Sequence, residues 1–321
     1  MPNIGIDIMG GDQAPQVVLE GCYRALAGIN DNSSLHLVGP SGRIKSFFDS
    51  RRPVKGSWQI VEAPDFIGME EHPVKALQQK PKASLSVGFA HLANRKLDGF
   101  ASAGHSGAVM VAALQALGCV AGVDRPMAAT AFPQQGPYPH ILLDAGINVD
   151  VRPAQFSQFA LLGSIYASEV HGIPSPRVAL LNTGVEESKG SALYQRAHQQ
   201  LKDLKAINFV GNLEARDFYE NRADVSVCDG FTGNIFLKQA EGFYNLLVQQ
   251  GVTHPYLEKF NYEHYGGTPI LGLKGNVVLG HGASSAEAIK NMILTTEKLA
   301  TVNLAARIET HIKEKWQPEQ Q

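Results

Sequence analysis

Seven times along this chain a short apolar run ends in glycine with a polar side chain beside it, at Gly10, Gly104, Gly146, Gly184, Gly211, Gly230 and Gly282. Residues 224–238 show the pattern most fully. Val225, Val227 and Cys228 form a strand-like run, Gly230, Thr232, Gly233 and Asn234 supply turn chemistry, and Ile235 opens a helical pattern with Phe236, Ala240, Phe243 and Leu247 on one face. A strand that turns straight into a helix leaves the first helical amides without intrahelical partners, and glycine lets a ligand approach them. One such turn is an ordinary connection. Seven of them, in a chain whose strands alternate with helices, predict an α/β protein with a largely parallel sheet covered on both faces. They also predict a crevice of amides and small polar side chains beyond the strand ends. Such a crevice suits an anion.

The strand-like runs fall at residues 3–8, 35–38, 59–62, 98–103, 128–132, 140–143, 178–181, 207–210, 225–228 and 277–279. Helical patterns fall at 17–26, 43–48, 74–79, 84–94, 108–117, 156–170, 188–201, from 235, and in one long terminal helix over 286–313. The runs at 128–132 and 140–143 are joined by Pro133-Gln134-Gln135-Gly136-Pro137, a hairpin-like connector. The pattern at 156–170 reads as amphipathic, Thr183-Gly184-Val185-Glu186 as a capping box, and the charged tail after Trp316 as frayed. With 321 residues the chain can bury a large core, as one large domain or two intimate ones, and it is taken as a single domain over 1–321. No repeat or low-complexity stretch interrupts it.

Composition removes several classes. Apolar residues at 44% and charged residues at 18% describe a globular protein, and a net charge of -2 argues against a nucleic-acid binder. Cys22, Cys119 and Cys228 are odd in number and have no paired spacing, so a disulfide framework is not expected. No export signal and no membrane span is read, which makes the cytoplasm the default. Dinucleotide and phosphate-loop signatures, metal-ligand spacing and a Gly-x-Ser-x-Gly elbow are all missing. No metal and no organic cofactor is expected. Cys228 sits in an apolar strand without an adjacent base and reads as inert core.

The polar groups that could act are those at the strand ends. His105 and Ser106 stand between Gly104 and Gly107, and His281 stands between two glycines. His105 and Ser106 read equally well as a turn and cap. Lys189 follows the turn at Gly184 and could reach the crevice, while Asn212 and Asn234 could donate to an oxyanion or cap helices.

Read in order, the strand ends resemble the PlsX family of phosphate acyltransferases over nearly the whole chain. The blocks that carry the resemblance include Ile6-Asp7-Ile8-Met9-Gly10-Gly11-Asp12, Ser102-Ala103-Gly104-His105-Ser106-Gly107 and Leu143-Asp144-Ala145-Gly146-Ile147-Asn148. They continue with Leu181-Asn182-Thr183-Gly184-Val185-Glu186-Glu187-Ser188-Lys189-Gly190, Val210-Gly211-Asn212-Leu213-Glu214 and Tyr265-Gly266-Gly267-Thr268-Pro269. The resemblance implies an αβα sandwich similar to isocitrate and isopropylmalate dehydrogenases. It implies an enzyme that moves a fatty acyl group from acyl carrier protein to inorganic phosphate, yielding acyl phosphate for phospholipid synthesis. It also implies a homodimer without a cofactor, and a downstream membrane acyltransferase as a further partner.

On this reading Asp7, Gly10, Gly11, Asp12, Gly104, Ser106, Gly107, Asp144, Asn148, Asn182, Gly184, Asn212, Asp229, Gly230, Thr232 and Gly233 bind substrate. Lys189 and the turns at Asn182 and Gly230 to Asn234 grip phosphate, and His281 or His105 assists the oxyanion. The family usually has Asn-Thr at His105-Ser106, and a long apolar helical hairpin where only residues 243–264 stand here, with polar residues throughout. That weakens the case for peripheral membrane docking. Acyl carrier proteins are acidic, which makes Lys75, Lys80 and Lys82, or Arg95 and Lys96, the expected docking cations. The rival readings are a phosphotransacetylase-like enzyme acting on acyl-coenzyme A and a non-catalytic anion- or acyl-binding regulator of lipid supply.

Overall fold

The first strand, β1 (Asn3–Asp7), is buried along nearly its whole length, as a central strand of a parallel sheet covered on both faces should be. The computed structural model that contains it describes residues 1–316. Contacts divide them into two units, 1–118 with 262–303, and 119–261 with residues from 304 onward.

In the first unit β1 is followed by α1 (Gln16–Ala25), β2 (Ser34–Gly39), α2 (Ser41–Asp49), β3 (Ser57–Glu62), α3 (Pro73–Gln79), α4 (Ser84–Ala93), β4 (Gly99–Ser102) and α5 (Ser106–Ala116). The second unit contributes β5 (Met127–Ala128), β6 (Thr130–Phe132), β7 (His140–Leu143), α6 (Pro153–His171), β8 (Arg177–Asn182), α7 (Ala192–Asp203), β9 (Asn208–Glu214), β10 (Val225–Val227) and α8 (Gly230–Gln249). The chain returns to the first unit for β11 (Thr268–Leu271), β12 (Asn276–Leu279) and α9 (Ala286–Val302), then ends in the second with α10 (Leu304–Lys315).

Within the first unit the strands run β3-β2-β1-β4-β12-β11, parallel except for the β11–β12 pair. In the second they run β6-β7-β10-β8-β9, parallel except for the hairpin β6–β7. The expected parallel α/β architecture is present, built as two sheets. The expected hairpin between 128–132 and 140–143 is present as well.

Several elements differ from the sequence reading, each for a physical reason. Helix α6 is not amphipathic. It packs on β7 and β10 and also on α7 and α10, so residues such as Gln155, Ser157 and Gln158 are buried along with its apolar ones. No helix starts at Thr183, and α7 begins only at Ala192. Residues 183–191 form a loop, and the capping-box pattern there caps nothing. Strand β9 runs through Gly211, which is therefore not a strand end. It sits at a register shift against β8 with φ of +97°, a bulge conformation open to glycine.

Helix α8 begins at Gly230 rather than at Ile235, and it turns Ala240 and Tyr244 inward while Phe243 faces out. The single terminal helix is broken at Asn303, whose left-handed backbone (φ 51°, ψ 55°) ends α9 before α10 starts. Strand β11 stands outside the strand-like runs of the sequence. Its pairing to β12 comes through the tight turn at Gly272 to Gly275. The expected frayed tail lies outside the described residues.

Candidate active site

In the first unit, β1 ends in a buried carboxylate. Asp7 is 4% exposed; its Oδ1 accepts the Met9 N–H at 3.0 Å and its Oδ2 accepts the Ser102 hydroxyl at 2.8 Å. Ser102 Oγ in turn accepts the Gly104 N–H at 3.1 Å. The Asp12 N–H donates to the Gly282 carbonyl at 2.8 Å. These bonds stitch the turns after β1, β4 and β12 together, so Gly10, Gly104 and Gly282 gather at one end of this sheet. Burial raises the Asp7 carboxyl above its usual range, opposed by hydrogen bonds from Ser84, Ser102 and the backbone.

His105 is the N-cap of α5. Its Nδ1 accepts the N–H groups of Gly107 at 3.1 Å and Ala108 at 3.4 Å. Two of the amides expected to meet an anion are therefore already held by an imidazole. His281 repeats the device, with Nδ1 accepting the Ala283 N–H at 3.2 Å. An Nδ1 used as acceptor places the proton of a neutral ring on Nε2. The two rings thus follow neighbouring parallel strands, where Ser102 lies opposite Leu279, and each carries a donor on its far edge. Ser106 is exposed at the first position of α5.

In the second unit the equivalent carboxylate is Asp144, 0% exposed. It accepts the Ala128 N–H at 2.9 Å, the Asn148 N–H at 2.5 Å and the Asn148 side-chain amide at 2.8 Å. Burial again raises its pKa. The Asn148 amide also donates to the Pro126 carbonyl at 2.9 Å, and the Asn148 carbonyl accepts the Gly230 N–H at 2.7 Å. A side chain at Gly233 would overlap the Asp144 carbonyl oxygen, so the start of α8 rests directly on this loop.

Asp229 caps α8, accepting the Thr232 N–H at 2.8 Å, the Thr232 hydroxyl at 2.9 Å and the Tyr194 hydroxyl at 2.5 Å. Asn234 is exposed one turn on, beside Gly146.

Asn182 and Asn212 serve the loop at 183–191. The Asn182 side chain accepts the Thr183 N–H at 2.8 Å and donates to the Lys189 carbonyl at 3.3 Å. Asn212 donates to the Glu186 carbonyl at 2.8 Å, and its Oδ1 meets His198 Nδ1 at 2.8 Å. Lys189 rides on this loop half-exposed, with Nζ 3.9 Å from Glu186.

The proposed substrate binders therefore divide. Asp7, Asp144, Asn148, Asn182, Asn212, Asp229 and Thr232 spend their side chains on hydrogen bonds within the protein, whereas Lys189, Asn234, Ser106 and His281 face outward. Gly184 lies on the same loop as Lys189. Gly10, Gly11 and Asp12, with Gly107, belong to the first unit's turns, while Gly211 stands apart in its bulge.

Tyr194, in the first turn of α7, was not singled out. It links the end of the Lys189 loop to the Asp229 cap, and a lone tyrosine after Gly190-Ser191 gives no sequence signal of that. Cys228 is buried, its thiol pushed well up by burial, which removes it as a nucleophile. Of the docking cations, Lys80 is held by Glu71 at 2.7 Å and the Phe66 carbonyl at 3.0 Å, while Lys75, Lys82, Arg95 and Lys96 are exposed.

The profile of the family described as fatty acid synthesis protein matches residues 3–307. The chain belongs to this family. Its relatives include a phosphate acyltransferase of Dictyoglomus turgidum, 37% identical over 95% of this chain and 96% of that protein. A phosphate acyltransferase of Bacillus subtilis is 36% identical over 97% and 98%.

Among solved structures, a phosphotransacetylase from Streptococcus pyogenes superposes with a TM-score of 0.65 at 18% identity, over 94% of both chains. A 4-hydroxythreonine-4-phosphate dehydrogenase from Klebsiella pneumoniae does so with a TM-score of 0.58 at 12% identity, over 94% of this chain and 98% of that one. At such identities the likeness is one of fold, and the fold is dehydrogenase-like as expected. Among the described residues no cluster of His, Cys, Asp or Glu could hold a metal ion, and no helix is long and apolar enough to cross a membrane.

Proposed function

We propose that the protein transfers a fatty acyl group from acyl carrier protein to inorganic phosphate. Kinship over nearly the full length with phosphate acyltransferases carries this reading. The geometry supports it in one respect above others. Of the carboxylates at the turns, Asp7, Asp144 and Asp229 are engaged by backbone and hydroxyl donors, while Asp12 of the first unit is exposed. The outward donors are the Lys189 ammonium, the Asn234 amide and the Nε2–H edge of His281, with the His105 ring half-buried.

A phosphate oxygen attacks the thioester carbonyl carbon and forms the new C–O bond. The carbonyl oxygen carries the negative charge of the tetrahedral intermediate, and collapse expels the carrier thiolate with its electron pair. In the second unit the Lys189 ammonium suits a phosphate oxygen, and in the first unit the imidazole Nε2–H groups are donors of the kind that stabilises an oxyanion. Fixing both reactants supplies the remainder, up to roughly 7–11 kcal/mol where the geometry is ideal. A thiolate leaves without protonation, so no covalent acyl-enzyme is required.

Lys189→Ala and His281→Ala are each expected to lower acyl phosphate formation from palmitoyl carrier protein and labelled phosphate by about 10²-fold. Wild-type rates in both variants would sink the role assignment. The same assay with coenzyme A thioesters identifies the donor, a carrier-protein enzyme turning those over at least about tenfold more slowly.

For the carrier, Lys75, Lys82, Arg95 and Lys96 offer exposed positive charge. A homodimer is proposed through the outer face of α8, where Phe231, Ile235, Phe243 and Leu246 are each more than half exposed. The cytoplasm is the proposed location.

A further inference from the structure

At the end of the second unit's sheet opposite its glycine turns lies a cavity of about 340 Å³. It is bounded by one stripe of α6, by the loops that enter β8 and β9, and by α10. Leu161 and Ile165 form an apolar floor, and Ser164 and Ser168, one turn apart, add two hydroxyls. Lys205 and Lys315 supply two ammonium groups to the wall, and His311 adds an imidazole. Among the described residues no carboxylate lines it.

The charge around it is unbalanced. Lys202 and Lys313, close in sequence, are each paired at 2.7 Å, to Glu187 and Glu309. Lys205 and Lys315 have no such partner among the described residues. The nearby Glu169 is engaged by His311 at 3.2 Å and Arg307 at 3.8 Å, so its charge is already met.

We propose that this cavity is a binding site for a small phosphate ester, separate from the site of acyl transfer. Two ammonium groups and two hydroxyls around a recess of metabolite size match a dianionic phosphate with a compact organic group. Strand β8 runs from Arg177 beside the cavity to Asn182 at the Lys189 loop. Five steps of ~3.3 Å put the two ends ~17 Å apart, too far for one small ligand to span.

The test is a titration of the full chain, labelled at its histidine rings, with inorganic pyrophosphate. His311 reports on the cavity, and His105 and His281 report on the strand-end turns. The wild-type protein should show a saturable shift of the His311 signals. A Lys205→Glu/Lys315→Glu variant should weaken that shift by at least about tenfold and leave the His105 and His281 responses unchanged.

No His311 shift in the wild type, or the same shift in the double variant, would overturn the proposal. A second arm identifies the source of the phosphate, using sedimentation with vesicles of phosphatidic acid in phosphatidylcholine. Loss of sedimentation in the double variant assigns the site to a lipid headgroup, and unchanged sedimentation with a lost His311 response assigns it to a soluble ester.

Discussion

His140 lies entirely within the second unit, 0% exposed, with Nε2 2.8 Å from the Ser226 hydroxyl and its ring stacked 3.9 Å from that of Phe218. Burial pushes its pKa down to about 3. The unfolded chain therefore binds a proton near pH 6.5 that the folded chain refuses, so stability falls as the pH drops from that value toward about 3. His140→Gln keeps a donor toward Ser226 and removes the titration. Between about pH 7 and about pH 5 the wild type should lose about 2 kcal/mol more than this variant in urea unfolding; equal losses would refute it. Asp7 and Asp144 act with the opposite sign. Their raised values mean that they bind protons more readily when folded, so their contribution is largest at low pH and is lost as the pH climbs through the folded pKa. At this scale the sequence placed Asp7, Asp144, Asn148 and Asp229 correctly at the turns, but not the direction each side chain faces. That direction is decided by which backbone N–H groups lie within reach, and those belong to residues such as Ala128 that are distant in the chain. Tyr194 escaped notice for the same reason, its partner Asp229 being 35 residues away.

Helix α8 begins where its backbone touches the Asp144 carbonyl, and only hydrogen fits at Gly233. Gly233→Ala is expected to cost at least about 2 kcal/mol, read by urea unfolding, because neither the strand end nor the helix can retreat cheaply. Between α9 and α10, Asn303→Ala should cost about 1 kcal/mol, since alanine tolerates the left-handed conformation less well, whereas Asn303→Gly should be close to neutral. Thermal unfolding of the two variants checks this, and equal midpoints would contradict it. Element type was legible in the sequence wherever an apolar period was clean, as in α1, where Val18, Cys22 and Ala25 are buried as their spacing requires. Boundaries failed where the deciding interaction was tertiary. Residues 188–191 could have extended α7, but Asn182 and Asn212 hold the preceding loop in place. Gly211 resembled a strand end because a bulge and a turn use the same residue.

For the molecule as a whole, the proposed pairing through α8 predicts that Phe243→Glu with Leu246→Glu turns a dimer into a monomer in sedimentation velocity. A wild-type chain that already sediments as a monomer would refute it. Family and architecture were readable at this scale because they rest on many motifs in order, whereas the points where the chain crosses between units leave no mark in the composition. It crosses three times, after residues 118, 261 and 303. Strand β4 finishes at Ser102, yet β12, the neighbour that covers its second edge, begins only at Asn276. As the polypeptide emerges from the ribosome, the earlier unit therefore waits with an open sheet edge while nearly all of the later one is made, and closing that edge is among the last acts of its birth.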